Sequence, residues 1–261
     1  MKLFRPKKFF GQHFLQNPAV LRKIVEVADL RNGESVLEIG PGRGVLTQAL
    51  LEAGAHVTVV EIDRDLVGAL RTEFGERICL FEGDALGEAG KQARLFASEQ
   101  GLGTYKVVAN IPYQITSLLI TSFLEDEPRP SRSVLMVQKE VADRIIAKPP
   151  DTSLLSVACQ LSAICQKVVS VPRGSFRPMP KVDSAVVCID FFPSQNRKRV
   201  IALAKAGFQS RRKQLHRNLS VAGYGSSEVV KAALEAMGKP STVRAEELTI
   251  EDWRGLSEAL F

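Results

Sequence analysis

The stretch "SVLEIGPGRGVLTQALLEAG" runs from Ser35 to Gly54. It opens as a buried strand, "SVLEI", rich in branched apolar side chains. Glycines follow at 40, 42 and 44, and then a segment with helical spacing that stops at Gly54, where glycine commonly ends a helix. A strand that turns through glycines into a helix is the opening unit of a parallel α/β sheet. Glycines at such a turn also let backbone approach a ligand closely.

Working outward, the same alternation continues to about Phe192. "HVTVVE", "ICLFEGD", "YKVVAN", "SVLMVQ", "KVVSV" and "SAVVCIDFF" read as strands, and "RDLVGALRTEFG" as a helix ending at Gly75. Strands alternating with helices imply an α/β fold, a Rossmann-like, mostly parallel sheet covered on both faces. Only the loop "PRGSFRPMPKVD" joins the last two strands, so a hairpin is expected there, with the final strand antiparallel. Beyond the linker "FFPSQNRKR" every segment is helix-like. The expected division is residues 1–192, a sheet domain with a basic N-terminal arm, and residues 193–261, a small all-helical domain.

Composition narrows the function classes. The chain has 261 residues, 45% hydrophobic and 25% charged, as expected of a globular protein. No apolar run is long enough to cross a bilayer, and Pro6, Lys7 and Lys8 interrupt any signal-peptide core, so a cytoplasmic location is expected. Cys79, Cys159, Cys165 and Cys188 form no C-x-x-C pair and read as buried, reduced thiols; no metal site is expected from them or from the three scattered histidines. The formal charge is +6. No acidic residue occurs between Phe191 and Ser227, where Arg197, Lys198, Arg199, Lys205, Arg211, Arg212, Lys213 and Arg217 fall. A basic run without counter-charge favours a nucleic-acid partner over a merely solvated face.

The strand ends carry the chemistry. After the glycine turn, the second strand ends in Glu61, about twenty residues on, where a carboxylate can accept from both hydroxyls of a ribose. The third runs into Asp84, placed to accept from an adenine amino group. Two cofactors contain that adenosine: a nicotinamide dinucleotide and S-adenosylmethionine. The dinucleotide turn wants glycine at its first, third and sixth positions, and here the sixth is Val45. The fourth strand ends in "NIPYQIT", from Asn110, placing a carboxamide, a proline and an aromatic ring together.

In order, "FGQHFL", "EIGPGRGVLT", "VEIDRDL", "EGDAL", "NIPYQIT", "QKEVADR" and "FRPMPKVDSAVV" resemble the motifs of the ribosomal RNA adenine N6,N6-dimethyltransferases, the family whose small-subunit member confers kasugamycin resistance when lost. The resemblance extends from about Lys7 to the C-terminus. It implies a methyltransferase sheet with S-adenosyl-L-methionine as donor and N6 amines of adjacent adenosines near the 3′ end of small-subunit RNA as acceptors. It places Gly40 and Gly42 against the methionine part of the donor, Glu61 on its ribose and Asp84 on its adenine. His13 and Leu15 close over the donor from the arm, and Asn110 lies where methyl and amine meet. Two departures from the family pattern stand out. Gln114 occupies a position often held by asparagine or a small polar residue, and "PPDTS" replaces a Tyr-Gly pair before "LLSVACQ", in a loop that reads as short.

That amine is a poor nucleophile, its lone pair being delocalised into the purine ring. A carboxamide oxygen at Asn110 and a backbone carbonyl nearby would draw it toward tetrahedral geometry, and Pro112 would stiffen the loop that holds them. Tyr113 offers a stacking face for an extruded base. Phe176 reads equally as the opposite face or as a core aromatic. Arg211, Arg212 and Lys213 are the expected RNA anchors, within one helix-like segment with Arg217. The alternatives are a large-subunit adenine dimethyltransferase of the macrolide-resistance type and a catalytically silent RNA-binding assembly or transcription factor. A monomer is expected, since no feature demands a dimer.

Overall fold

The computed structural model describes Lys7, residues 12–193 and residues 196–261. Arg5 and Lys8 of the basic arm lie outside the described residues. The chain divides into two compact units, residues 1–142 with 164–191, and residues 143–163 with 192–261.

The first unit is built on a seven-stranded sheet. Its strands are β2 (Ser35–Ile39), β3 (His56–Glu61), β4 (Ile78–Glu82), β5 (Lys106–Asn110), β6 (Arg132–Gln138), β7 (Ala163–Val171) and β9 (Ser184–Phe191), in the order β4-β3-β2-β5-β6-β9-β7. Pairing is parallel from β4 through β6, and β9 runs antiparallel to β6, Met136 facing Val186. A separate two-stranded ribbon joins β1 (Phe14–Leu15) to β8 (Phe176–Arg177), with Leu15 opposite Phe176.

The strands read as continuous apolar runs because both faces of the sheet are covered. Val36, Val57, Val59, Val108, Val134 and Val186 share one core cluster with α1 (Pro18–Ala28), α2 (Val45–Glu52) and α3 (Arg64–Phe74). Residues of the opposite parity face α4 (Glu88–Gln100), where the Ser35 hydroxyl donates to the Ala97 carbonyl at 2.7 Å. Arg94 of α4 in turn donates to the carbonyl of Ser122 in α5 (Thr116–Glu125). The helix ends follow local chemistry: Asn17 caps α1 through the N–H groups of Ala19 and Val20, and Asp63 caps α3 through that of Asp65.

The chain leaves the first unit within α6 (Lys139–Ile145). The second unit comprises α7 (Leu154–Gln160), α8 (Arg197–Gly207), α9 (Leu215–Val221), α10 (Ser227–Ala236) and α11 (Ile250–Leu260) around the fully buried Trp253. The second unit resumes at Phe192, next to the expected boundary, but it also takes in an earlier segment that was not expected there. Val157 and Leu161, expected in the sheet domain, are buried with Leu203, Leu219 and Trp253, so residues 143–163 belong to the helical unit. Of the four cysteines expected to be buried, Cys159 and Cys188 are, whereas Cys79 and Cys165 are half-exposed. No helix among the described residues is long and apolar enough to cross a membrane.

Candidate active site

Strand order reverses at β2. The chain winds outward to β3 and β4, then returns to place β5 on β2's other side. A crevice opens at such a switch point, beyond the carboxyl ends of the strands. Here it is a cavity of about 450 Å³, within the usual range for small-molecule sites. His13, Leu15, Gly40, Gly42, Glu61 and Asp84 line it, and so do Asn110, Pro112 and Tyr113.

The glycines of the turn have different tasks. Gly42 has φ +60°, and a Cβ there would stand 3.0 Å from the Phe14 ring, at the cavity wall. Gly44, at φ +76°, faces the other way, and a Cβ would be driven into the Phe74 ring in the core. Gly42, like Gly40, lines the cavity, whereas Gly44 serves helix–sheet packing. Phe14 is clamped from outside by the Arg43 guanidinium, 4.9 Å from its centroid.

Two acids stand at the ends of β2 and β3. Glu61 is buried and accepts from the N–H of Gly42 at 3.3 Å and that of Asp63 at 2.9 Å, tying the two strand-end turns together. Burial pushes its pKa up, and these backbone donors partly offset the shift. Glu38 accepts from the Thr47 hydroxyl at 2.6 Å, and burial pushes its pKa from 4.5 to about 8. A neutral Glu38 spares Glu61 a second like charge. Asp84 lies two residues past β4, exposed, with one oxygen accepting from Leu86 N–H at 2.9 Å. Among the described residues, its other oxygen accepts no hydrogen bond. Beside Glu61, Ile62 is 45% exposed and lines the cavity, giving a flat ring a surface to lie on.

The Asn110 amide closes the far end of β5. Its Nδ2 donates to the His13 carbonyl at 3.1 Å, which fixes the amide's orientation and turns Oδ1 away from His13. The Pro112 carbonyl is taken by Ile115 N–H at 3.1 Å, which starts the helical turn under the loop. Tyr113 is anchored through its hydroxyl to the buried Ser184, 2.6 Å away. The arm is pinned at its other end, where Gln12 donates to Asp63 at 2.8 Å and Lys7 at 2.6 Å.

Two sequence expectations are corrected. Phe176 is fully buried in the core cluster and does not line the cavity, so it offers no face to a base. Strand β8 turns it inward beneath Leu15. Arg211, Arg212 and Lys213 do not share a helix with Arg217; they form an exposed turn before α9, because Gln214 is the N-cap of that helix. Arg211 pairs with Glu246 at 3.3 Å. Phe14, Glu38, Ile62 and Ser184 were not singled out from the sequence. Each sits inside a quoted motif, but strand alternation alone cannot say which motif residues reach the cavity.

The lining would suit an adenosine-bearing cation, with carboxylates at Glu61 and Asp84 able to accept from hydroxyls and an amine, and the glycine turn at 40 and 42 beside them. The profile of the family "Ribosomal RNA adenine dimethylase" matches residues 3–260. The chain belongs to the ribosomal RNA adenine dimethylase family. Among members, "Ribosomal RNA small subunit methyltransferase A" of Thermosynechococcus vestitus is 45% identical, over 99% of this chain and 98% of its own. The protein of that name from Anaeromyxobacter dehalogenans is 42% identical over 98% and 94%. Among solved structures, a dimethyladenosine transferase from Plasmodium falciparum superposes with a TM-score of 0.78 at 29% identity, covering 94% of this chain and 96% of that one. The 23S rRNA methyltransferase ErmE gives 0.73 at 27% identity, covering 95% and 99%. This dimethylase resembles both kinds of enzyme in fold, and its full-length relatives carry the small-subunit name.

Proposed function

We propose that this dimethylase transfers methyl groups from S-adenosyl-L-methionine to the N6 amines of adjacent adenosines near the 3′ end of small-subunit ribosomal RNA, as a cytoplasmic monomer acting during ribosome biogenesis. The observation that carries the reading is the cavity that joins the acids of β2–β4 to the Asn110–Tyr113 turn. A catalytically silent binding protein would have no use for that junction.

In this reading Glu61 takes the ribose hydroxyls, Asp84 the adenine amine, and Gly40 and Gly42 the methionine part, with His13 and Leu15 closing the arm side. The donor supplies a methyl group already activated by its sulfonium. The protein's work is therefore positioning. Asn110 Oδ1 accepts one N–H of the target amine. The Ile111 carbonyl accepts the other, since that of Pro112 is occupied by Ile115. Both acceptors are set before substrate arrives, as electrostatic preorganisation requires. Tyr113 stacks on the extruded base, and Pro112 stiffens its approach. The surplus proton of the methylated amine passes to water.

Arg211, Arg212 and Lys213 serve as phosphate anchors. The Arg211–Glu246 pair is exposed and worth little, so it yields readily to RNA. Similarity to ErmE keeps a large-subunit substrate as the second reading. Incubating unmethylated small and large subunits with radiolabelled donor separates the two: label in small-subunit RNA is expected. Label confined to the large subunit would replace the proposal with the second reading.

A further inference from the structure

Asp63 is 1% exposed and does not line the cavity, yet both oxygens of its carboxylate are taken. Oδ1 accepts from Lys7 Nζ at 2.6 Å and from the Asp65 N–H at 3.1 Å, and Oδ2 accepts from Gln12 Nε2 at 2.8 Å. Lys7 and Gln12 are joined in turn, the Lys7 N–H donating to Gln12 Oε1 at 2.8 Å, and Lys7 Nζ also reaches Asp65 at 2.7 Å. The arm therefore closes a ring on one buried carboxylate. Burial pushes the Asp63 pKa up, but the bonds from Lys7 and Gln12 outweigh it and hold the group below its ordinary value. Asp63 is thus ionised, with its counter-charge supplied from the arm.

The same residue reaches the cavity through its backbone. The Asp63 N–H donates to Glu61 Oε1 at 2.9 Å, and Glu61 Oε2 accepts from Gly42 at 3.3 Å. Burial makes the ionised form of Glu61 costly, and the Asp63 charge adds to that cost. An ammonium on Asp63 offsets the repulsion. Resting on Glu61 as the acceptor of the ribose hydroxyls, we propose that Asp63 is a positioning residue for the donor: Lys7 and Gln12 fix its carboxylate, and its backbone N–H fixes that of Glu61. A group that takes two hydroxyls works only while its own rotamer is locked by the hydrogen bonds behind it. A swing of the 61–63 turn would remove one of the two N–H groups that lock Glu61. On this account Lys7, which the sequence counts in a basic arm, serves the donor and not an RNA phosphate.

Calorimetry with S-adenosylhomocysteine compares wild type, Lys7→Met and Asp63→Asn, each also combined with Glu61→Ala. Asparagine caps helices as well as aspartate does, so α3 keeps its start. Its amide nitrogen, however, faces donors of the arm where a carboxylate oxygen received them. Lys7→Met and Asp63→Asn are each expected to weaken binding by about fivefold or more, a usual coupling within one hydrogen-bond network. Joined to Glu61→Ala, neither is expected to add more than about twofold, because both act through Glu61. The salt slope of small-subunit binding is expected to be the same for Lys7→Met as for wild type. Single variants that bind within about twofold of wild type would overturn the inference. So would penalties as large with Glu61→Ala as without it, which would make Asp63 a support of the fold alone. A salt slope lowered by about one in Lys7→Met, the mark of a phosphate contact, would overturn it too. Glu61→Ala that binds S-adenosylhomocysteine as wild type does would overturn the reading of Glu61 itself, a result distinct from these.

Discussion

Replacing Glu38 by glutamine removes a buried group whose protonation the fold must manage. Its folded pKa of about 8 lies above the ordinary 4.5, with burial the largest cause. An acid whose pKa is raised on folding binds more protons folded than unfolded, so stability falls as pH rises. The contribution is fully present below pH 4.5 and is lost progressively up to about pH 8. At about 1.4 kcal/mol per pH unit, the gap corresponds to roughly 4–5 kcal/mol. Only part of that titration falls between pH 5 and 9, so the change across that window is about 2–4 kcal/mol. Glutamine keeps the shape and can accept from Thr47, but never ionises. Urea denaturation of both proteins from pH 5 to 9 measures the difference, and other titrations cancel. Glu38→Gln should gain about 2–4 kcal/mol over wild type across that range. A difference constant to within about 0.5 kcal/mol would show that Glu38 ionises normally and that its burial does not govern its charge.

Glu61→Ala should weaken S-adenosylhomocysteine binding by about 2–3 kcal/mol in calorimetry, the cost of losing a charged acceptor; unchanged affinity would remove Glu61 from the site. Phe176→Ala should cost about 3–5 kcal/mol of stability in urea melts. Phe176→Leu should leave KM for subunits within about threefold, and a tenfold rise would restore Phe176 as a base platform. The combined change Arg211→Gln, Arg212→Gln and Lys213→Gln should make subunit binding weaker and less salt-dependent, each lost phosphate contact lowering the slope by about one. A slope equal to that of wild type would assign those residues to solvent.

The sheet is legible in the sequence because its strands are buried on both faces and its helices stop at glycines such as Gly75. The antiparallel β9 follows from the lack of a helix in "PRGSFRPMPKVD". The convergence of Gly42, Glu61 and Asp84 on one crevice is also legible, since they lie at or just past strand ends where topology alone brings them together. What escapes depends on side-chain direction. Phe176 and Phe14 are opposite cases: both lie in the β1–β8 ribbon, yet one turns into the core and the other toward the cavity. The helical segment 154–160 falls to the wrong unit because sequence proximity to the sheet says nothing of which core Val157 and Leu161 join. The basic turn at 211–213 reads as helix because positive side chains carry no signal of where an N-cap falls.

The most direct test of the central claim is single-turnover methyl transfer by Asn110→Ala at saturating donor and small subunits. The His13 carbonyl orients the Asn110 carboxamide, and in the proposed mechanism that carboxamide acts on the amine as it becomes nucleophilic. Its loss should slow transfer by roughly a hundredfold or more, while subunit affinity changes little. Transfer within a few-fold of wild type would contradict the account, because the amine would then need no carboxamide to become reactive.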